Sequence, residues 1–155
     1  MRGKKWILGM GVLFISLVLI FGTGLAAEGP IKLGVVFIMS GKMGGYGKHG
    51  MQAVQLAMDE INGQGGILGR KVEAIFADDE LKVDKGVEIT KKFITEDKVD
   101  FIIGPTSSGV ALAMADVVEQ QKKILVLTQS ATNSLTDAKF NRYMFSTLSN
   151  AMMHS

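Results

Sequence analysis

The chain has 155 residues, of which 47% are hydrophobic and 21% are charged, a globular composition with a formal net charge of +2 at pH 7. It contains no cysteine, which excludes disulfide bonds, thiolate metal sites and a lipid-anchored cysteine.

The pattern over residues 1–27 is that of a secretory signal peptide. Basic side chains within the first five residues precede an uncharged apolar run over residues 6–21, and a segment of mainly small residues follows over residues 22–27. A permanent membrane anchor is the alternative, but an anchor usually needs about 20 apolar residues. The pattern therefore predicts export to the periplasm, with cleavage after Ala26 or Ala27.

Cleavage would reverse the sign of the net charge. The signal peptide contains three of the 17 basic residues, so the mature chain has 14 basic and 15 acidic residues and a net charge of −1. Because the excess of basic residues leaves with the signal peptide, nucleic-acid binding loses its compositional support. A soluble exported protein is the simplest interpretation.

Strand and helix patterns alternate along the rest of the chain. Residues 31–39 form a near-continuous apolar run, as expected of a parallel strand covered on both faces. The predicted strands lie at residues 31–39, 71–77, 101–103, 124–127 and 143–146; the predicted helices lie at about residues 48–62 and 84–96, after Gly109, and from residue 150 to 155. This alternation predicts βαβ units and a doubly wound parallel sheet of the α/β class.

Hydroxyl-rich or glycine-rich loops follow three of the predicted strands. These loops, at residues 40–46, 106–109 and 128–132, should share the edge where ligands bind in open α/β sheets. The second loop starts a helix, whose unpaired N–H groups and partial positive charge favour an anion such as a carboxylate. The alternative is that Ser107 or Ser108 only caps this helix. Convergence of the three loops favours a polar small-molecule site.

A glycine motif offers a rival interpretation. Gly45, Gly47 and Gly50 match the dinucleotide fingerprint G-x-G-x-x-G between a strand and a helix. However, the fingerprint should begin at the strand end, and residues 40–44 intervene. The acidic residue that would bind the ribose should also lie about 20 residues further on, and the acidic pair at residues 78–79 is more distant.

The sequence gives little support for catalysis or metal binding. Neither Ser107 nor Ser108 has glycines two residues away on both sides, as a nucleophile elbow needs, and His49 has no visible acid or nucleophile partner, which indicates a helix-surface residue. The acidic group at residues 78–80 could suggest a hard metal ion, but without further patterned oxygen ligands it indicates a solvated loop. Met51 and Met58 are interpreted as core packing. We expect no enzyme activity, no metal and no cofactor.

Several short motifs occur in a characteristic order. Ser-Gly and Tyr-Gly are separated by four residues within residues 40–47, a helix ends in Glu-Ile-Asn before a glycine pair, and Asp-Asp follows a strand. Ile-Ile-Gly-Pro then precedes Ser108, and a later strand ends near Ser-Ala-Thr at residues 130–132. Together these motifs resemble the type I periplasmic binding proteins of the branched-chain amino acid transport group, from about residue 31 to residue 147.

The resemblance implies a fold and a set of ligand contacts. Residues 28–155 would form the N-terminal lobe of a two-lobed protein, incomplete and without its second lobe. The hydroxyl of Ser108 and the N–H of Gly109 would bind the carboxylate of an amino acid, together with the hydroxyl and N–H of Thr132. The carbonyl of Ser130 would accept from the ammonium group, and Tyr46 would line the pocket.

The resemblance also implies a function. The protein would be the substrate-binding component of an ABC importer, delivering a branched-chain amino acid or a related small carboxylate to the membrane permease subunits. A ligand-sensing receptor domain of the same fold is an alternative. A dinucleotide-dependent enzyme that uses the glycine motif is a further one.

Overall fold

The computed structural model describes residues 29–135 and 137–148. The predicted signal peptide and the predicted helix start at residues 150–155 lie outside these residues. The strands are β1 (Ile31–Phe37), β2 (Val72–Asp78), β3 (Phe101–Ile103), β4 (Ile124–Leu127) and β5 (Met144–Ser146), and the helices are α1 (Gly44–Gly63), α2 (Val83–Thr95) and α3 (Ser108–Gln121), with a 3-10 turn at Asn133–Leu135.

The five strands form one parallel sheet in the order β2-β1-β3-β4-β5. The chain moves outward from β1 to β2, and then continues on the other side of β1 with β3, β4 and β5. The strand order therefore reverses between β1 and β3, which is where open α/β sheets bind their ligands. This topology confirms the predicted doubly wound α/β fold.

The main core lies between the sheet and the helices α2 and α3. The only polar side chain of α2 that is fully buried, Thr90, donates its hydroxyl to the carbonyl of Gly86 at 2.7 Å, so its burial leaves no unpaired hydroxyl. The sheet contributes Val36, Ile102, Leu125 and Met144 to this core, and the helices contribute Phe93, Val110, Met114 and Val118.

Helix α1 covers the opposite face of the sheet over β1 and β2. Met58 is buried there and Met51 is half-buried, which confirms their predicted role in packing. No described helix makes comparable contact with β3, β4 and β5 on this face, where Phe101 and Phe145 are 39% and 55% exposed. By strand alternation this surface, the open face, consists of Phe101, Ile103, Ile124, Val126 and Phe145.

Helix α1 begins at Gly44, earlier than the predicted start at residue 48. Residues 44–47, predicted to be part of a flexible loop, form its first turn against the end of β1. A Cβ atom at Gly47 would lie 1.8 Å from the carbonyl oxygen of Ile38. The prediction was wrong because the glycine here serves close backbone approach rather than flexibility.

Candidate ligand-binding site

The segments that follow β1, β3 and β4 emerge side by side at the carboxyl edge of the sheet. Val35, Ile103 and Val126 form one row across these three strands. Because the strands are parallel, the chain leaves each of them in the same direction. The predicted convergence of the three loops is confirmed.

The turn after β3 leads directly into α3. Gly104 has a φ of +120°, and a Cβ atom there would lie 1.9 Å from the carbonyl oxygen of Val36, so only glycine fits. Ser107 is the N-cap of α3, and its hydroxyl accepts from the N–H of Val110 at 3.5 Å. Ser108 is the first helical residue and is half-buried. The capping role proposed as an alternative therefore belongs to Ser107.

The amino end of α3 keeps hydrogen-bonding capacity for a ligand. The first intrahelical bond runs from the N–H of Ala111 to the carbonyl of Ser107 at 2.9 Å, and the N–H of Val110 bonds the cap. Within the described ranges, the hydroxyl of Ser108 and the N–H of the exposed Gly109 have no such partner. Two donors are thus left at the positive end of a helix dipole, an arrangement suited to a carboxylate.

The loop after β4 carries two more of the predicted contacts, Ser130 and Thr132. Ser130 is 3% exposed, and its hydroxyl is buried without a partner among the described residues, as is the hydroxyl of Thr128. The hydroxyl oxygen of Thr132 accepts from the N–H of Ser134 at 3.3 Å, which leaves its proton available for donation. This loop therefore combines a hydroxyl that can donate with buried hydroxyls that lack partners.

Gln129 joins the loops to one another, and sequence reasoning did not single it out. Its side-chain carbonyl accepts from the hydroxyl of Thr106 at 2.7 Å. Its side-chain amide donates to the backbone carbonyl of Tyr46 at 3.2 Å. One side chain thus connects the loop after β4, the turn after β3 and the first turn of α1. No local pattern could have identified it, because its two partners lie 23 and 83 positions away in the sequence.

Tyr46 lies in the first turn of α1, where the predicted loop would have left it unrestrained. Its backbone N–H donates to the carbonyl of Met43 at 3.1 Å, and its side chain is 60% exposed. The structure therefore fixes the backbone of Tyr46 beside Gln129, while the ring stands at the surface of the same edge. An exposed aromatic ring there can form the wall of a pocket.

The acidic group at residues 78–80 was predicted to be a solvated loop, and this prediction was wrong for Asp79 although Glu80 is exposed. Asp79 is fully buried, and burial raises its pKa above the ordinary value of 3.8; one carboxylate oxygen accepts from the N–H of Leu81 at 3.0 Å. Burial also acts to raise the pKa of Asp78, but N–H groups of Met39 and Glu80 donate to it at 2.9 Å and hold the pKa below that value. Asp78 thereby ties the start of the β1–α1 connection to the end of β2.

The rival interpretations find no support in the described residues. Gly45, Gly47 and Gly50 all lie within α1, so they do not form the strand-to-helix turn that would hold a pyrophosphate. His49 is exposed on the same helix, as predicted. Across residues 29–135 and 137–148, no group of three His, Cys, Asp or Glu side chains is arranged to hold a metal ion, and no helix is long and apolar enough to cross a membrane.

A cavity of about 490 Å³ lies at the other end of the sheet. It is lined mainly by apolar side chains, among them Leu33, Ile61, Ile67 and Phe101. Phe101 belongs to the open face, so the cavity lies where the open face meets α1, at the amino ends of the strands. Its lining contains no hydroxyl group, so it does not match the polar site that the loops form.

The comparisons with known proteins agree with the fold. A family model described as periplasmic binding protein matches residues 30–154. The Leu/Ile/Val-binding protein BraC3 of Rhizobium johnstonii is 37% identical over 106 residues, covering 68% of this chain and 28% of that protein.

Two solved structures extend the comparison to three dimensions. The branched-chain amino acid substrate-binding protein LivJ of Streptococcus pneumoniae, in complex with isoleucine, has a TM-score of 0.73 and 29% identity over 78% of this chain and 34% of its own. A solute-binding protein of an ABC transporter from Rhodopseudomonas palustris BisB5, in complex with 3,4-dihydroxy benzoic acid, has a TM-score of 0.71 and 26% identity over 78% of this chain and 32% of its own. The chain thus spans about a third of the length of these relatives.

Proposed function

The chain belongs to the periplasmic binding protein family, and from this we propose that residues 28–155 are the N-terminal lobe of the substrate-binding component of an ABC importer. The observation that carries the proposal is the amino end of α3, where the hydroxyl of Ser108 and the N–H of Gly109 remain unused at the carboxyl edge of the sheet. The site would bind its ligand and pass it on without chemical change.

The ligand is a small carboxylate, and a branched-chain amino acid is the leading candidate. Relatives named as Leu/Ile/Val-binding proteins support the amino acid. Neighbours solved with isoleucine and with 3,4-dihydroxy benzoic acid support the carboxylate, which both molecules contain. The carboxylate is therefore the part that this lobe would recognise, and it suits donors at a helix terminus.

Each predicted residue has a role that its surroundings allow. Ser108 and Gly109 donate to the carboxylate, and Thr132 adds a hydroxyl whose oxygen is already oriented by Ser134. The backbone carbonyl of Ser130 accepts from the ammonium group, and the exposed ring of Tyr46 covers the ligand. No acidic side chain occurs in residues 40–46, 106–109 or 128–132, so the ammonium would need its charge partner elsewhere.

A second lobe would supply that partner and the opposite wall of the pocket. Ligand sites usually bury most of the ligand surface, so this chain alone should bind an amino acid with at most about millimolar affinity. The membrane permease subunits of an importer would be the partners that receive the ligand. No further cofactor is needed for such a function.

Nuclear magnetic resonance of the 15N-labelled exported chain tests the site at this weak affinity. Titration with isoleucine should shift the amide signals of residues 107–109 and 130–132 and that of Tyr46, and leave those of residues 48–50 nearly unchanged. Ser108→Ala should weaken the response by about tenfold to a hundredfold, the value of a hydrogen bond to a charged group. Ser107→Ala is the matched control, since the cap faces its own helix. A response to NAD at residues 45–50, with none to carboxylates, would instead favour a dinucleotide site.

Export and the signal peptide are tested separately. Mass spectrometry of the protein recovered from its native envelope should find a soluble species that begins at residue 27 or 28. An intact Met1 terminus in the membrane fraction would contradict the proposed cleavage.

A further inference from the structure

Gln129 makes two hydrogen bonds to two other segments of the candidate site. The hydroxyl of Thr106 donates to its side-chain carbonyl at 2.7 Å, and its side-chain amide donates to the carbonyl of Tyr46 at 3.2 Å. These partners lie 23 and 83 positions away in the sequence. The amide nitrogen also lies beside Gly50, where a Cβ atom would approach it to 3.1 Å.

The chemistry of the partners fixes the orientation of the amide. A backbone carbonyl can only accept, so the nitrogen of Gln129 must face Tyr46 and its oxygen must face Thr106. The hydroxyl of Thr106 can then donate to that oxygen. Rotation of the amide by 180° would bring two carbonyl oxygens together. Glutamine is therefore matched to this position through both of its polar atoms.

The neighbours of Gln129 do not anchor the loop by themselves. The hydroxyls of Thr128 and Ser130 are buried on either side of it and have no partner within the described ranges. Buried hydroxyls without partners destabilise a loop conformation. Among the side chains at residues 128–130, only that of Gln129 has hydrogen-bond partners in the part of the chain that the structure describes.

We propose that Gln129 is a positioning residue that holds the ligand-binding segments of this lobe in one arrangement before the ligand arrives. It acts through the turn that carries Ser108, through its own loop with Thr132, and through the first turn of α1 with Tyr46. Preorganised donors bind better because less freedom is lost on binding. This inference rests on the proposed function for the identity of the site, but the Gln129 contacts can be tested without a ligand.

The first experiment measures amide hydrogen exchange in the exported chain. Gln129→Met keeps the length of the side chain and removes both hydrogen bonds, and Thr106→Val removes one of them. Exchange should become about tenfold faster in Gln129→Met at the hydrogen-bonded amides of these segments, which are residues 48–50, 110–111 and 134, while the core amides of β3 and β4 keep their protection. Thr106→Ser retains the hydroxyl that Thr106→Val removes, so its exchange rates should equal those of the unmodified chain. A uniform change across the chain, or no change in these segments, would overturn the inference.

The second experiment titrates the exported chain with isoleucine and follows the amide signals of residues 107–109 and 130–132 by nuclear magnetic resonance. Gln129→Met should weaken the response about tenfold, and the double variant with Thr106→Val should be no weaker than Gln129→Met alone, because both changes break the same network. Gln129→Glu keeps the acceptor for Thr106 but places a carboxylate against the Tyr46 carbonyl. In this variant, hydrogen exchange should become faster only in the first turns of α1.

The two experiments separate failure of this inference from failure of the proposed function. If the unmodified chain responds to isoleucine and Gln129→Met responds equally, Gln129 is not a positioning residue. If the unmodified chain responds to no carboxylate, the proposed function fails. The exchange measurement would then still show whether Gln129 holds the three segments together.

Discussion

Replacing Gly47 and Gly45 by alanine should move the stability of the chain in opposite directions. A Cβ atom at Gly47 would lie 1.8 Å from the carbonyl oxygen of Ile38, a backbone atom that cannot turn aside as a side chain can. Overpacking of this kind costs about 3 kcal/mol at the upper end of its usual range, and the better helix propensity of alanine returns about 1 kcal/mol. Gly47→Ala should therefore lower the free energy of unfolding by about 2 kcal/mol.

Gly45 provides the matched control, because it lies in the same turn of α1 and has nothing within 4 Å of its Cβ position. Gly45→Ala should raise the free energy of unfolding by up to about 1 kcal/mol, through helix propensity alone. Urea unfolding followed by circular dichroism measures both, and with a slope of about 2 kcal/mol per molar the Gly47→Ala midpoint should fall by about 1 M. Equal midpoints for the two variants would refute the close packing of this turn on β1.

Three further predictions concern single residues. Ser107→Ala should lower the free energy of unfolding by about 1 kcal/mol through loss of the N-cap, whereas Ser108→Ala should leave it nearly unchanged; equal losses in urea unfolding would contradict their assignment. Asp79→Asn should raise stability at pH 7, because a carboxyl with a raised folded-state pKa loses stability as pH rises from 3.8 through that pKa. The gain should shrink as pH falls through that raised pKa towards 3.8 and change no further below 3.8, and a constant difference would show that ionisation is not involved. Phe145→Thr should reduce self-association and binding of a fluorescent apolar dye, since its side chain is 55% exposed on the open face; unchanged light scattering would contradict this.

The apolar runs in the sequence predict the strands well, because most of the buried strand positions are occupied by apolar residues. Residues 101–103 and 124–127 were predicted as strands with the bounds that β3 and β4 have. The predicted start of α1 was wrong because a glycine can serve either a flexible loop or close backbone approach, and the two look alike in a sequence. Only the position of the Ile38 carbonyl, which depends on the tertiary fold, shows that Gly47 is needed for close approach.

The candidate site was predictable as a location but less so in its connections. Parallel strands bring their carboxyl ends together, so the convergence of the loops follows from the order of the elements. The hydrogen bond from Gln129 to Tyr46 joins residues that are 83 positions apart in the sequence, so no local sequence pattern can predict it. Burial of Asp79 was missed for a related reason, since a run of acidic residues indicates solvent unless a neighbouring N–H group is known to face it.

The hydrogen-bonded site and the open face belong to different parts of the same sheet. The site is built from the segments after β1, β3 and β4, and the side chain of Gln129 bonds only within it. The open face consists of apolar side chains along β3, β4 and β5, including Phe101 beside the cavity at the amino edge. Changes to the open face should therefore alter association and stability while leaving the arrangement of Ser108 and Gln129 intact. Changes at Gln129 should loosen that arrangement without uncovering the core between the sheet and α3, so the effects at the two surfaces should add independently.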